Sequence, residues 1–487
     1  MSDRPSTPFP RIGGLAGIAA LRARFAELDV DLPADDEALA APGSPLAQPL
    51  DLGLVNGARR TCSNRFVIQP MEGWDGTTDG EPSDLTVRRW RNFGRSGAAW
   101  IWGGEAVAVQ AAGRANPHQL VISDATAALI GKLRTELVEA GQGRDLLVGL
   151  QLTHSGRWSR PTAVGPEPHI AFRHPLLDPR AGVRDDAAVM GDDAVDDLIA
   201  AFARAAYLAQ EEGFEFVDVK HCHGYLLHEF LAARTRAGLY GGPSMIERSQ
   251  LALAMIEAVR AAAPRLEIAV RLSAFDCVPH RPASIDDEGK RGPGIPEEHT
   301  QPYDYAFGLD RYQPSRLDLD EPIELIRKLR DLGVRWLNIT AGSPYYVPHV
   351  QRPAAFPPSD GYAPPEDPLL GVARLLSVAR QIKAEVPEMV VVSTGWTYLQ
   401  EYIPHVAQAC IRHGWFDAVG LGRMVLAYPE LPADVLAGRR LQRKRLCRTF
   451  SDCTTAPRNG LVSGCYPLDM FYRVRPEYQA LQHAKQR

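Results

Sequence analysis

Six consecutive residues in the middle of the sequence carry a high density of reactive side chains. Lys220, His221, His223 and Tyr225 all lie within residues 220–225. An imidazole or a phenol can transfer a proton during a reaction, and a lysine amine can attack a carbonyl carbon when burial lowers its pKa. Such a stretch is more typical of a functional site than of a plain core.

The element that must position this stretch belongs to a series of eight short apolar runs. These are Arg65–Gln69, Ala99–Gly103, Leu146–Thr153, Phe214–Lys220, Glu267–Leu272, Arg335–Thr340, Met389–Thr394 and Asp417–Leu421. Most are continuous in hydrophobicity, as expected for parallel strands buried on both faces. Helical spacing of apolar residues fills the intervals, and five intervals end in a glycine suited to closing a helix: Gly97, Gly141, Gly213, Gly333 and Gly414. Eight strands alternating with helices predict an α/β fold of the (β/α)₈ TIM-barrel type.

Three segments surround or interrupt the repeat. Residues 1–50 are rich in Pro, Ala and Asp around one predicted helix (Ala16–Leu28), so we expect an N-terminal extension before a barrel at 51–440. Residues 275–319, after the fifth strand, are long, polar and rich in Pro and Gly, which is typical of a lid or binding loop on the catalytic face. Residues 441–487 form a C-terminal tail that contains three cysteines.

The ends of the last two strands are rich in small residues. Thr394 and Gly395 follow the seventh strand, and Gly422 and Arg423 follow the eighth. Backbone N–H groups and a cation at these positions are the usual phosphate site of such barrels, although glycine there also serves tight turns.

Composition narrows the class of protein. The 487 residues carry 54 basic and 59 acidic side chains, a net charge of −5, which argues against a nucleic-acid partner. No apolar run approaches the roughly 18 residues that cross a membrane, and residues 1–10 do not resemble a signal peptide. Seven scattered cysteines suit reduced thiols. We expect a cytoplasmic enzyme acting on a small molecule, assembled as a homo-oligomer.

Ordered motifs across residues 50–440 resemble the old yellow enzyme family of FMN-dependent NAD(P)H oxidoreductases. They are Asn64-Arg65-Phe66 leading into Pro70-Met71, the Gln-Leu-x-His-x-Gly-Arg stretch from Gln151, His223-Gly224-Tyr225-Leu226 continuing to Glu229-Phe230-Leu231, Tyr240-Gly241-Gly242, and Gly420-Leu421-Gly422-Arg423. Within this family, the sequence most resembles the barrel domain of members of the dienoyl-CoA reductase and trimethylamine dehydrogenase type.

The resemblance implies non-covalent FMN across the barrel mouth, reduced by NADH or NADPH. The cofactor-binding positions that it implies are Gln69, Pro70, Met71, Glu72, Ala106, Gln151, Arg271, Thr394, Gly395, Gly422 and Arg423. A glutamine amide can both donate to and accept from the polar edge of the ring, and a fixed arginine stabilises negative charge there.

The chemistry implied is hydride transfer from the flavin to a C=C bond conjugated to a carbonyl. Lys220 and His223 occupy the positions that hold the carbonyl oxygen, and Tyr225 matches the family's proton donor. Trp74, His221, Tyr345 and Tyr346 are expected to contact a flat or ring-containing substrate, with His349 and Arg352 also bordering the pocket.

Two positions depart from the family pattern. Relatives carry His-x-x-His or His-x-x-Asn as the oxygen-binding pair, whereas Lys220 stands first here, and strand alternation sends His221 to the opposite face. Glu72 replaces Thr or Cys beside the flavin, so we expect it to be protonated, paired or a cause of a lower flavin potential.

The tail gives a third departure. Cys447, Cys453 and Cys465 stand where longer relatives bind a [4Fe–4S] cluster, but Phe450 occupies the expected position of the second ligand. We therefore expect no cluster and no other bound metal.

Two other classes of function fit part of the pattern. A Schiff-base lyase of the aldolase type would use Lys220 but leaves Pro70, Met71, Gln151 and Arg271 unexplained. A non-catalytic scaffold barrel does not account for so polar a mouth. Bound FMN would make the protein yellow and separates the flavin interpretation from both.

Overall fold

The computed structural model describes residues 9–55, 57–287 and 289–485. Its strands are β1 (Leu50–Val55), β2 (Ala58–Cys62), β3 (Phe66–Ile68), β4 (Trp100–Ile101), β5 (Ala106–Ala108), β6 (Leu147–Thr153), β7 (Phe216–Val219), β8 (Glu267–Ser273), β9 (His280–Pro282), β10 (Gly294–Pro296), β11 (Trp336–Thr340), β12 (Val390–Ser393) and β13 (Ala418–Leu421).

The helices fall between and after these strands. They are α1 (Ile18–Glu27), α2 (Asp84–Gly94), α3 (Ala127–Ala140), α4 (Asp178–Ala181), α5 (Asp192–Glu211), α6 (Leu226–Leu231), α7 (Met245–Ala262), α8 (Asp320–Asp331), α9 (Pro348–Gln351), α10 (Pro368–Glu385), α11 (Ile403–Arg412), α12 (Arg423–Ala427), α13 (Leu431–Leu436), α14 (Asp452–Arg458), α15 (Met470–Arg473) and α16 (Glu477–Ala484).

Parallel pairing closes the main sheet into an eight-position barrel, which confirms the predicted (β/α)₈ fold. Around the barrel the order is β3, β4 with β5, β6, β7, β8, β11, β12 and β13, and β13 pairs with β3 to close it. The second position is split, because β4 pairs with β6 at Trp100 and Leu147 while β5 pairs with β6 at Ala106 and Gln151. Each of the eight predicted apolar runs coincides with a parallel strand at one of these eight positions.

An antiparallel hairpin of β1 and β2 covers the amino end of the barrel. Its Leu52 packs in an apolar cluster with Trp100, Phe216 and Trp336. The ring of Trp100 meets those of Phe216 and Trp336 edge to face, with centroids 6.0 Å and 5.2 Å apart. This end is closed by packing.

Four of the five predicted helix-ending glycines adopt a left-handed conformation, with φ of 91° at Gly97, 79° at Gly213, 84° at Gly333 and 68° at Gly414. Gly141 is different, with φ of −68°. The turn after α3 places the positive φ one and two residues later, at Gln142 and Gly143 (56° and 79°). A second glycine two residues on made Gly141 dispensable for this role.

The described parts of the three segments outside the repeat contain regular elements or pack into apolar clusters. Leu21 and Phe25 of α1 are buried in the main core. The long segment 275–319, predicted to be irregular, contains the antiparallel pair of β9 and β10. Helices α14 to α16 enclose a small cluster around Tyr466 and Tyr472. The boundaries at residues 50 and 440 remain predictions.

Among the described residues, no helix combines the length and apolarity required to cross a bilayer.

Candidate active site

A cavity of about 930 Å³ opens at the carboxyl end of the barrel strands. This is the end where barrels of this type place reactive groups, and the volume suits a bound cofactor. The predicted cofactor-binding, catalytic and substrate-binding residues all line the cavity except His221. Of the two further residues expected to border it, Arg352 lines the cavity and His349 does not. Other parts of the chain add to the wall, among them the long segment 275–319 with His280 and the tail with Thr454.

The expectation that His221 contacts substrate is wrong in this structure. The side chain is 1% exposed, and its Nδ1 lies 2.9 Å from the carbonyl oxygen of Val219. Alternation along the strand turns Lys220 into the cavity and His221 away from it. Burial also lowers the pKa of His221 to about 4, so the ring is neutral.

Tyr225 lies at the centre of the reactive groups. Its hydroxyl donates to the carboxylate of Glu72 and lies 3.0 Å from the hydroxyl of Tyr345. Lys220 Nζ lies over the Tyr225 ring, 3.7 Å from the centroid. A phenol is thus held between a carboxyl group and an ammonium group.

Lys220 is 5% exposed and makes no ion pair with a described residue. Burial lowers its pKa, and the charges of Cys222 and Glu72 act in the opposite sense. Glu105 is not its partner, because Arg89 contacts Glu105 and also forms two hydrogen bonds with Asp75 at 2.7 and 2.9 Å. The lysine charge is therefore directed at the cavity.

His223 has φ of 67°. Its backbone N–H donates to Ser273 Oγ at 3.0 Å, and its Nε2 lies 3.3 Å from Thr340 Oγ1 and 3.4 Å from Gln351 Nε2. Burial lowers the pKa of His223 well below its usual value, helped by the charge of Arg271. The ring is neutral and can donate one hydrogen bond, while Lys220 is the other donor of the pair.

A buried carboxylate, Asp218, fixes the orientation of Gln151. Asp218 accepts hydrogen bonds from Gln151 Nε2 at 2.5 Å, Trp102 Nε1 at 2.7 Å and the backbone N–H of Arg271 at 2.7 Å. Burial raises the pKa of Asp218, and these donors oppose that rise. Because the amide nitrogen of Gln151 is engaged, its oxygen is the group left to meet a donor in the cavity.

Gln69 and Arg271 occupy the barrel side of the cavity. Gln69 and Asn338 exchange two amide hydrogen bonds of 3.1 and 2.7 Å, and a Cβ at Gly420 would collide with Gln69. Arg271 reaches the carbonyl oxygen of Pro70 at 3.5 Å, while its buried Nε has no partner among the described residues. Gln69 is therefore satisfied within the protein, whereas Arg271 retains a free donor.

The predicted phosphate end combines glycine backbone with an incompletely paired arginine. Gly395 has φ of 100°, which favours glycine, and Thr394 Oγ1 donates to the carbonyl oxygen of Ile339 at 3.0 Å. Around Gly422, a Cβ would meet only Met71 Sδ and Gln69 Cβ, at 3.8 and 3.9 Å. Arg423 Nη2 donates to the carbonyl oxygen of Pro353 at 3.3 Å, and its buried Nη1 has no described partner.

These donors fit a ring system that carries a phosphate. Gln151, Arg271 and Arg423 all line the cavity, and Arg271 Nε and Arg423 Nη1 have no partner among the described residues. Arg423 lies beside the half-buried backbone of Gly422. Buried polar groups cost free energy when they lack partners, so their shared orientation indicates a polar ligand. FMN offers a hydrogen-bonding ring edge and a phosphate, and the residues present fit it.

Aromatic residues form a flat surface above the reactive groups. Trp158 stacks on Tyr345, with ring centroids 4.5 Å apart and planes within 6°. The Tyr346 hydroxyl donates to Asp276 at 2.6 Å, and the backbone N–H of Trp74 donates to Ser463 Oγ at 2.9 Å. Such a surface favours a planar guest.

Two buried polar residues of the site were not predicted, although their position in the strands could have indicated them. Asp218 stands two residues before Lys220, and Asn338 stands two before Thr340. Period-two alternation would have placed all four side chains inside the barrel. Thr454 and Ser463 of the tail carried no such signal, because they follow no strand end.

The tail cysteines Cys447, Cys453 and Cys465 are unbridged. Burial raises the pKa of Cys447 to about 11. Within residues 9–55, 57–287 and 289–485, no group of three or more His, Cys, Asp or Glu side chains is arranged to hold a metal ion.

Fold and site together define a (β/α)₈-barrel protein whose cavity suits a phosphorylated ring cofactor. Residues 45–290 match the sequence profile of the NADH:flavin oxidoreductase / NADH oxidase family. The chain belongs to this family. The Schiff-base lyase alternative based on Lys220 finds no support there.

Relatives agree with this assignment. The chain is 32% identical over 190 residues to an NADPH dehydrogenase from Listeria monocytogenes, which covers 38% of this chain and 52% of that protein. The chain thus spans about half the length of the curated relatives it matches first.

Two solved structures share the fold. A 2-naphthoyl-CoA reductase complex with 2-naphthoyl-CoA has a TM-score of 0.63 at 17% identity, covering 88% of this chain and 57% of that one. An old yellow enzyme homologue from Zymomonas mobilis has a TM-score of 0.55 at 22% identity, covering 82% and 94%.

Proposed function

We propose that this protein is an FMN-dependent NAD(P)H oxidoreductase that reduces a C=C bond conjugated to a carbonyl group. The observation that carries the proposal is the convergence of free donors and acceptors of Gln151, Arg271 and Arg423 on one cavity. FMN bound there would supply hydride transfer from NAD(P)H to the substrate.

The cofactor would be held by residues from opposite sides of the barrel. Gln151, oriented by Asp218, presents its amide oxygen to the polar ring edge, and Arg271 adds a cation close to Pro70. Arg423 and the backbone beside Gly422 bind the phosphate. A fixed cation near the ring edge stabilises negative charge on the reduced cofactor.

Lys220 and His223 hold the substrate's carbonyl oxygen. The ammonium of Lys220 and the neutral imidazole of His223 both line the cavity, so both can donate to an oxygen placed between them. Negative charge grows on that oxygen as hydride reaches the alkene, and donors already in position stabilise it.

Tyr225 delivers the proton to the other alkene carbon. Its phenol is oriented by Glu72 and Tyr345, which fixes the hydroxyl without blocking the cavity. In its protonated form Glu72 would return a proton to the phenolate and take up another from solvent, and burial favours that form because it raises the pKa of the Glu72 carboxyl.

The aromatic surface indicates a ring-containing substrate such as a cyclic enone. Trp74, Tyr345 and Tyr346 line the cavity beside the reactive groups. A flat conjugated molecule would gain stacking there while its carbonyl meets Lys220.

The test uses the purified protein. Its visible spectrum should be that of an oxidised flavin, and acid precipitation should release FMN into the supernatant. Under anaerobic conditions NADH or NADPH should bleach the flavin, and a cyclic enone should restore its colour. A colourless protein that does not bind added FMN would contradict the proposal.

A further inference from the structure

Three arginines meet at the phosphate end of the cavity, and they come from different parts of the chain. Arg352 follows α9, Arg423 begins α12, and Arg458 ends α14 in the tail. Arg458 is paired, since it donates to Asp360 at 2.6 Å and to the carbonyl oxygen of Pro344 at 2.6 Å. The other two face the cavity without a carboxylate partner among the described residues.

Arg352 is held at one nitrogen and free at two. Its Nη1 donates to Thr454 Oγ1 of the tail, while its Nε and Nη2 are buried with no described partner. Nη1 of Arg423 is in the same condition. Three buried N–H-bearing nitrogens therefore lack an acceptor at one end of the cavity.

Charge makes this arrangement costly without a ligand. Burial and the neighbouring charges of Arg423 and Arg458 lower the pKa of Arg352 to about 9. The charge of Asp360 opposes this shift, but Asp360 is already engaged in an ion pair with Arg458, which leaves it a poor partner for Arg352. An anion with several oxygens would satisfy both free guanidinium groups, and a phosphate monoester carries three strong acceptors and close to two negative charges.

We propose that Arg352 binds the phosphate of the flavin cofactor together with Arg423, and that Thr454 positions Arg352 for this contact. The inference rests on the proposed function. Arg423 stands in the strand-end motif, whereas Arg352 lies outside every motif at the strand ends. The neighbouring Gln351 points the other way, with its Nε2 3.4 Å from His223 Nε2, so the end of α9 links the reactive groups to the phosphate end.

Riboflavin separates a phosphate contact from a ring contact, because it has the same ring and no phosphate. We would equilibrate the holoprotein and its variants with FMN or riboflavin by ultrafiltration and compare the two dissociation constants. Arg352→Ala should weaken FMN binding about tenfold to a hundredfold, the range for one hydrogen bond to a charged group, and leave riboflavin binding unchanged.

Further variants keep the test decisive. Arg352→Lys should restore part of the preference for FMN, and Thr454→Val should lose part of it. Arg380→Ala removes a surface arginine that pairs with Asp31 outside the cavity, and it should behave as wild type. If Arg352→Ala does not fold, Arg352→Lys and Thr454→Val give the answer.

Two results would overturn the inference in distinguishable ways. A wild-type preference for FMN retained by the Arg352 and Thr454 variants but lost in Arg423→Ala would leave the proposed function intact and remove Arg352 from the phosphate site. Arg352 would then serve another anion, such as an acidic substrate group. A wild-type protein that binds neither flavin would overturn the proposed function itself.

Discussion

Tyr225 and Glu72 are 153 residues apart in sequence, and the phenol of one donates to the carboxylate of the other. The pair joins the segment after β7 to the segment after β3, three strand positions apart around the barrel. This contact puts the Glu72 carboxyl within direct reach of the phenol, which supports the role in proton transfer proposed for it above.

Tyr225→Phe should separate proton delivery from binding. The ring that packs against Lys220 is retained and only the hydroxyl is lost, so flavin content and reduction by NAD(P)H should be unchanged. Reoxidation by an enone should slow about 10²–10⁴-fold, the usual contribution of a positioned acid. Stopped-flow absorbance of both half-reactions checks this. Tyr398→Phe, at a buried tyrosine that is not among the residues lining the cavity, is the matched control, and equal slowing in both variants would contradict the assignment.

Lys220→Met should affect the same half-reaction for another reason. The variant removes a donor to the developing oxyanion, which is worth roughly 10²–10³-fold in rate. FMN should remain bound, and reduction by NAD(P)H should change little. Loss of flavin, or equal slowing of both half-reactions, would assign Lys220 a structural role.

The pH dependence of enone reduction should identify Glu72. The charge of Lys220 lowers the pKa of the Glu72 carboxyl and so opposes the rise caused by burial. In a plot of rate against pH, the fall in rate caused by ionisation of Glu72 should therefore occur at higher pH in Lys220→Met than in wild type. This fall should be absent in Glu72→Gln. A shift to lower pH, or a fall that survives in Glu72→Gln, would show that another group titrates.

Asp276 should make stability depend on pH. Burial raises the pKa of its carboxyl from 3.8 to about 7, with the Tyr346 hydroxyl acting in the opposite sense. A raised native pKa favours the folded state below pH 3.8, and that advantage is lost as pH rises through 7. Relative to Asp276→Asn, the wild-type free energy of unfolding should fall by up to roughly 4 kcal/mol between pH 4 and pH 8.

Urea unfolding across this range measures the effect. Tyr346→Phe removes the hydrogen-bond donor that lowers the pKa of Asp276. The pH range over which this variant loses stability should therefore extend to higher pH than in wild type. Parallel curves for wild type and Asp276→Asn would contradict the prediction.

The strands and most cavity residues were predictable because barrel geometry ties function to strand ends. Once eight buried runs are recognised, residues such as Gln151, Arg271 and Arg423 must converge on one opening. Strand alternation alone separates Lys220 from His221.

Contacts that depend on the approach of distant segments were not predictable. The hydrogen bond between Arg352 and Thr454 joins a helix end to the tail, and neither residue follows a strand. The turn after α3 is a second example. Either Gly141 or Gly143 could have adopted the left-handed conformation that ends the helix, and sequence spacing does not indicate which one does.

Residues from the tail complete the cavity wall, and this has a consequence for biosynthesis. Thr454 and Ser463 leave the ribosome only after all eight barrel strands have been made. The barrel can therefore close while the cofactor compartment is still open along one side. The cavity wall is therefore complete only once synthesis has passed Ser463.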